Sequence, residues 1–378
     1  MPTIFIDNKP YEVKEGINLL HAAIDKGIDL PYFCWHPALG SVGACRQCAV
    51  QHYKDENDTA GRTVMACMTP VSKDMRFGVN HQTALDFRAR VIEWMMTNHP
   101  HDCPVCDEGG ECHLQDMTVM TKHNYRRFRF KKRTFKNQYL GPFINHEMNR
   151  CITCYRCVRY YQGVAGGGDL QAFSLSNRVY FGRLQDGTLE NEFSGNLVEI
   201  CPTGVFTDKP FKETYTRKWD LQTAPSVCQL CSLGCNILPG ERYDSIRRVQ
   251  NRYNPFVNKY FLCDRGRFGH SFVNSPERLV APSGNIEPLP SNKRVIGIGS
   301  ARTSLENNFA LKTCVGPKNF YAGLLDEELK LLKKVLFILE NGPAKSAALH
   351  DVEEADAIFI LGEDVLNTAP LVELAIRK

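Results

Sequence analysis

The sequence predicts an α+β chain of several domains arranged around metal centres, and three observations carry that expectation. Fifteen of the 16 cysteines, joined by one histidine, fall into four successive sets of four potential ligands. Ahead of the first cysteines, two short strand patterns lead into a helical one. From Lys293 onward, strand and helix patterns alternate without a further ligand set.

The sets are Cys34, Cys45, Cys48 and Cys67; His99, Cys103, Cys106 and Cys112; Cys151, Cys154, Cys157 and Cys201; and Cys228, Cys231, Cys235 and Cys263. Thiolates two or three residues apart close on one centre without long loops to order, and a distant fourth completes the shell. Several centres in a row suit electron transport, because a lone catalyst needs only one or two.

Paired disulfides belong to short secreted domains. This chain has 378 residues and opens MPTIFIDNKP, without a basic segment leading into an apolar run and cleavage site. Structural zinc is the stronger competitor, since C-x2-C pairs and sets of three cysteines with one histidine suit it. Only Cys228 and Cys231, however, approach the paired knuckles of a zinc ribbon. Cys151-x2-Cys154-x2-Cys157, with distant Cys201 followed by Pro202, has the spacing and Cys-Pro ending of a bacterial ferredoxin 4Fe-4S site.

Length and a hydrophobic content of 43% allow two or more domains with their own cores. The 46 basic and 42 acidic residues nearly balance, at net +4, which disfavours nucleic-acid binding through a polybasic tail. The exception is Tyr125-Arg126-Arg127-Phe128-Arg129-Phe130-Lys131-Lys132-Arg133. Alternating cations and aromatics could stack on single-stranded nucleic acid, but no recognised binding fold surrounds them. A solvated or subunit-contacting loop is the expectation. No apolar run reaches the ~18 residues of a spanning helix, so any membrane attachment is expected through other subunits.

Residues 1–80 form the first expected domain. Thr3–Ile6 alternates as a strand, Asp7–Pro10 turns, Tyr11–Val13 returns, and Ile17, Leu19, Leu20, Ala23 and Ile24 recur at helical spacing. This order resembles the β-grasp of plant-type 2Fe-2S ferredoxins. Gly43-Ala44-Cys45-Arg46-Gln47-Cys48 places a glycine where backbone must fold closely around a cluster. Ten residues separate Cys34 from Cys45, a departure from the soluble ferredoxins and similar to the ferredoxin-like domain of respiratory complex I and related diaphorases.

The second expected domain, 81–120, starts with an amphipathic helix over Ala84–Met96 that Pro100 stops. That stop aims His99 into the cysteine loop. A histidine at a helix end is often only a cap, and His101 and His113 compete. Spacing to Cys103 favours His99. An imidazole in place of a thiolate would make that centre less negative and raise its potential.

HPHDCPVCDEGGECHLQD, NRCITCYRCVRYYQ and SGNLVEICPTGVFTD together resemble the large iron–sulfur subunit of bacterial NADH:quinone oxidoreductase, respiratory complex I. The resemblance covers essentially the whole chain. It implies one 2Fe-2S cluster on the first set and three 4Fe-4S clusters on the others. The domains would then be a 2Fe-2S ferredoxin-like domain (1–80), a 4Fe-4S domain with one histidine and three cysteine ligands (81–120), a 4Fe-4S ferredoxin-like domain (121–220) and a molybdopterin-oxidoreductase-type 4Fe-4S domain (221–277). Residues 278–378 would begin a molybdopterin-oxidoreductase-like α/β domain.

The implied partners are the flavin- and NADH-binding subunit and the quinone-side iron–sulfur subunits, with no nucleic acid. The implied location is peripheral, on the cytoplasmic side of the bacterial inner membrane. The chain itself would relay electrons and carry no catalytic residue. In the family the last domain extends far beyond Lys378, so a fragment, split gene or truncated reading frame is expected. The fourth set also resembles the cluster domain of molybdopterin enzymes such as formate dehydrogenase, and an off-path, stabilising centre is expected there. An NAD-linked hydrogenase or formate dehydrogenase subunit is the alternative, although active-site cysteines and a complete molybdenum domain are missing. A zinc-stabilised scaffold is the non-redox one.

In the last domain, Arg294–Ser300 reads as a strand entering a glycine turn, Ser304 as the cap of a helix through Leu311, and Ala357–Leu361 as a buried strand. Gly297-Ile-Gly299 lacks the third glycine and the downstream acid of a dinucleotide fingerprint, so a structural turn is expected. Cys314 reads as a small core residue. Gly166-Gly167-Gly168 reads as a flexible turn, since no Gly-Lys-Ser/Thr ending follows.

Overall fold

The computed structural model describes residues 1–279, 281, 292–343 and 345–378. These fall into two units, 1–275 with 352–378, and 276–351. The expected domain 278–378 includes residues 280, 282–291 and 344, which lie outside the described residues.

Strands β1 (Thr3–Ile6) and β2 (Lys9–Glu12) pair antiparallel through a turn at Asp7 and Asn8, both at positive φ (48° and 65°). Such a turn matches the right-handed twist of the strands it joins. Alternation buries Ile4 and Ile6. Helix α1 (Leu19–Asp25) starts at Asn18, whose side chain accepts from the His21 amide at 2.9 Å. Strands β3 (Ala49–Tyr53), β4 (Arg62–Met65) and β5 (Arg76–Gly78) complete a sheet of order β2-β1-β5-β3-β4, with β1 and β5 parallel. Leu19, Leu20 and Ala23 of α1 share one core with Ile4, Val50 and Phe77 of the sheet.

Helix α2 (Gln82–Asn98) runs two residues beyond the expected span at each end. Polar end turns carry no apolar period to read. His99 is its C-cap, followed by α3 (His113–Met120). Residues 123–141 have no regular secondary structure, yet they are tied along α2. Arg127 Nε donates to Glu93 Oε1 at 2.9 Å, the Arg133 amide to Asn98 Oδ1 at 3.1 Å, and Lys132 Nζ to the Met96 and His99 carbonyls. The basic and aromatic stretch is therefore a strap on α2, with Tyr125, Phe128 and Phe130 outward.

Strand β6 (Ile144–His146), helix α4 (Arg156–Gly163), the hairpin β7 (Gln171–Phe173) and β8 (Tyr180–Gly182), α5 (Leu197–Ile200), β9 (Phe206–Asp208) and α6 (Lys209–Lys212) follow. β6 pairs antiparallel with β9. The glycine run has a packing role beyond flexibility: a Cβ on Gly167 would lie 2.2 Å from the Tyr161 ring. Next come β10 (Gln222–Thr223), β11 (Ser226–Val227), β12 (Asn236–Arg242) and β13 (Ser245–Asn251), one antiparallel sheet, then α7 (Asp264–Phe268). Tyr160, Tyr161, Phe193, Phe206, Val249 and Leu262 join in a second core.

In the other unit, β14 (Gly297–Ile298), α8 (Leu305–Val315), β15 (Phe320–Tyr321) and α9 (Asp326–Asn341) form a minimal α/β arrangement, with β14 and β15 parallel. Ser304 caps α8 as expected, accepting from the Asn307 amide at 3.1 Å. Gly297 lets α8 pack closely, since a Cβ there would meet Val315 at 2.8 Å. Two expectations are corrected: the strand at 294–300 shrinks to two residues, and Cys314 is exposed, not buried.

Helix α10 (Leu349–Glu353) spans the boundary between the units in sequence, and α11 (Val365–Thr368) and α12 (Pro370–Ile376) close the first unit, with Leu371 in its second core. The expected buried strand at 357–361 is absent, and Ile358–Leu361 are exposed. An apolar run becomes a buried strand only where a neighbouring strand and a covering layer exist. Among the described residues none flanks it.

Candidate metal centres

In the first set, Cys34 follows α1, Cys45 and Cys48 precede β3, and Cys67 sits in a 3-10 turn after β4. All four are buried. The Cys34 amide donates to Cys45 Sγ and the Cys67 amide to Cys48 Sγ, each at 3.4 Å. Arg46 and Gly43, at φ 56° and 67°, bend the loop so that its amides turn inward. Hydrogen bonds from Cys45 and Cys67 hold Cys34 far below a normal thiol, while Cys45 and Cys67 are raised. These are sulfurs close enough to share one negative charge.

The second set surrounds a cavity of about 290 Å³ lined by His99, Cys103, Cys106 and Cys112. α2 delivers His99, a 3-10 turn carries Cys103, and Cys112 caps α3. Burial holds His99 neutral, down to about 4, and its Nδ1 is buried without a partner. A neutral imidazole with a free ring nitrogen is the ligating form. The competing histidines are placed elsewhere: His113 Nε2 meets the Tyr32 carbonyl at 2.6 Å, and His101 is exposed outside the cavity wall. Gly204 admits no side chain, since a Cβ would lie 2.6 Å from Cys106 Sγ. Burial pushes Cys112 up to about 12.

In the third set, Thr153 and Tyr155 alternate with the cysteines at φ 57° and 62°, conformations that cost on the order of 1 kcal/mol each outside glycine. They wrap the loop so that the Thr153 amide donates to Cys151 Sγ at 3.2 Å. Cys157 enters the first turn of α4 and Cys201 follows α5. Burial and then repulsion from Cys154, Cys151 and Cys201 raise Cys157, so the four thiols stand together.

In the fourth set, the Cys228 amide donates to the Cys235 carbonyl at 2.8 Å, and Gly234 turns at φ 64°. Cys263 caps α7, with Sγ accepting from the Gly266 amide at 3.3 Å. A Cβ on Gly266 would sit 3.5 Å from both Cys228 and Cys263 sulfurs. Burial, then Cys263, Cys231 and Cys228, push Cys235 up to about 12.

The sets are not isolated. Cys34, Cys45, Cys112 and Cys154 share one apolar cluster with Phe33, Ile92 and Leu114. Cys157, Cys201, Cys228, Cys235 and Cys263 share the larger one. Sequence reasoning missed the cations that join the loops. Arg159 Nη1 donates to the Cys34 carbonyl at 3.2 Å, Arg156 Nη1 to the Phe33 carbonyl at 3.4 Å, and Arg150 to Asp102. Their only trace in the sequence is adjacency to cysteines.

Four family models match successive segments: a 2Fe-2S iron–sulfur cluster binding domain over 1–82, the NADH-ubiquinone oxidoreductase-G iron–sulfur binding region over 88–127, the ferredoxin-like domain of NADH-quinone oxidoreductase subunit 3 over 141–207, and the molybdopterin oxidoreductase Fe4S4 domain over 221–275. The G subunit of NADH-quinone oxidoreductase from Shewanella oneidensis is 58% identical, and that from Escherichia coli 57%, each over 100% of this chain and 44% of the relative. The Pseudomonas putida G subunit is 56% identical over 100% of this chain and 43% of the relative. The chain thus spans less than half the length of the curated relatives it matches. An NAD+-reducing [NiFe]-hydrogenase structure in the H2-reduced state is similar at TM-score 0.49 and 25% identity, over 55% of this chain and 87% of that one. With four ligand sets in the same order as the four matched segments, the chain belongs to the family of NADH-quinone oxidoreductase G subunits.

Proposed function

We propose that this chain is an electron-relay subunit of an NADH:quinone oxidoreductase, holding one 2Fe-2S cluster at Cys34, Cys45, Cys48 and Cys67 and three 4Fe-4S clusters at the other three sets. Bound there, the clusters would supply reversible one-electron transfer. The protein's own work is to hold deprotonated thiols in buried loops, aim backbone amides at sulfur and exclude water. The corresponding domains are 1–80, a β-grasp in its strand order, 81–120, 121–220, 221–277 and 278–378, of which 352–378 belong to the first unit of the fold.

The observation that carries the proposal is the convergence of His99, Cys103, Cys106 and Cys112 on one cavity, with a buried Nδ1 lacking any partner. Support also comes from ligand spacing. In the third set, two-residue spacers join Cys151, Cys154 and Cys157, and distant Cys201 completes four, the spacing of a 4Fe-4S site.

Electrons would enter from a flavin- and NADH-binding partner and leave toward quinone-side iron–sulfur subunits. Attachment would be peripheral, through other subunits on the cytoplasmic face; among the described residues no helix is long and apolar enough to cross a membrane. Anaerobic purification followed by metal analysis tests this: about fourteen iron atoms and no stoichiometric zinc are expected from the four assignments. A colourless, zinc-loaded chain would refute it. The fourth centre is proposed to stabilise its domain off the electron route, and a large loss of turnover in assembled complex carrying Cys228→Ala and Cys231→Ala would contradict that.

A further inference from the structure

We propose that Arg150 and Asp102 are positioning residues for the His99 site, a charge pair that ties its loop down and sets its reduction potential with opposite signs. This rests on that site holding an iron–sulfur centre.

Arg150 immediately precedes Cys151 of the third set, and Asp102 immediately precedes Cys103 of the second. Arg150 Nε and Nη2 donate to Asp102 Oδ2 at 3.0 and 2.8 Å, and Nη1 donates to the Gly204 carbonyl at 3.4 Å. The Arg150 carbonyl in turn accepts from Thr203 Oγ1 at 3.0 Å. One buried side chain thus fastens the second loop to both ends of the third.

Its stem passes directly behind the His99 cavity. A Cβ built on Gly204, in the cavity wall, would touch Cys106 Sγ at 2.6 Å and Arg150 Cδ at 3.1 Å. Asp102 lines the same cavity. Arg150 thus stands behind Gly204, and Asp102 stands in the wall itself, of the cavity that His99 and Cys106 line. The two charges therefore act on the same ligands with opposite signs, Arg150 from a buried position and Asp102 from a half-buried one. A cation there favours the reduced, more negative centre, and an anion disfavours it. Held together, each offsets part of the other's effect.

The test uses the iron-loaded chain, with low-temperature paramagnetic resonance recorded during a redox titration. The centre concerned is recognised as the one altered by His99→Cys. Arg150→Met is expected to shift its reduction equilibrium ~10-fold toward the oxidised form, about 59 mV for one electron. Asp102→Asn is expected to shift it by a similar factor the other way, and the double variant to return within about threefold of wild type, all at unchanged iron content. Two single variants that move in the same direction, as loosened packing would produce, overturn the proposal, and so do shifts below about twofold in both. If Arg150→Met loses iron, Asp102→Asn decides alone: a rise in potential supports the assignment and its absence overturns it. A wild-type chain without any reducible centre overturns the underlying function instead, and is seen before any variant is made.

Discussion

Arg267 Nη1 donates to Glu199 Oε1 at 2.7 Å from a guanidinium that is only 2% exposed. Arg267 lies four residues after Cys263, and Glu199 lies two before Cys201, so this pair joins the loops of the fourth and third sets. The same guanidinium donates to Asn196 Oδ1 and to the Val249 carbonyl. Arg267→Met should strip three acceptors of their donor and destabilise the first unit by about 3 kcal/mol. Urea unfolding of both proteins measures it, and a loss under about 1 kcal/mol would show the pair to be replaceable.

Imidazole and thiolate differ by one negative charge as ligands. His99→Cys is expected to keep its iron and lower the potential of that centre alone, while His99→Ala should lose about four irons. Iron assay and redox titration separate the two outcomes. Full iron retention in His99→Ala would return the ligand role to His101 or a neighbouring group.

Gly204 has no room for a methyl group beside Cys106, while Gly163 has nothing within 4 Å of a built Cβ. Gly204→Ala should cost roughly 1–3 kcal/mol through overpacking and selectively loosen the second centre. Gly163→Ala, inside α4, should be neutral or slightly stabilising. Equal iron retention and equal stability in the two would mean that the cavity wall yields.

Burial raises the carboxyl of Asp208 to about 6, despite its bond from the Phe211 amide at 2.8 Å. A raised folded pKa favours the native state below the unfolded value near 4, and that advantage is lost as pH climbs through about 6. Relative to wild type, Asp208→Asn should therefore gain on the order of 2–3 kcal/mol between pH 4 and pH 7.5. Paired urea titrations at the two pH values give the difference. A gap that is flat with pH would mean that Asp208 does not titrate in this window.

Much of the chemistry was legible in the chain itself. Cysteine spacing is local, so each loop's candidate ligands could be named before any contact was known, and Pro100 after a helical period already placed His99 at a helix end. Helix α8 behaved likewise, because Ser304 caps it through a bond three residues away. The run at 357–361 did not: its apolar residues specify a strand only if something pairs with it, and the described structure leaves it exposed. Cys314 failed for the same reason, since burial depends on neighbours and not on residue type.

The sequence by itself determined which atoms can ligate and in what groups, because ligand type and short spacing are covalent facts. Only the tertiary structure separated His99 from its competitors, turning His113 onto the Tyr32 carbonyl and leaving His99, its Nδ1 buried without a partner, in the wall of a cavity. Only the fold, too, set Arg150 against Asp102, 48 positions apart. Burial and long-range charge pairing arise when distant segments pack, and no local spacing records them.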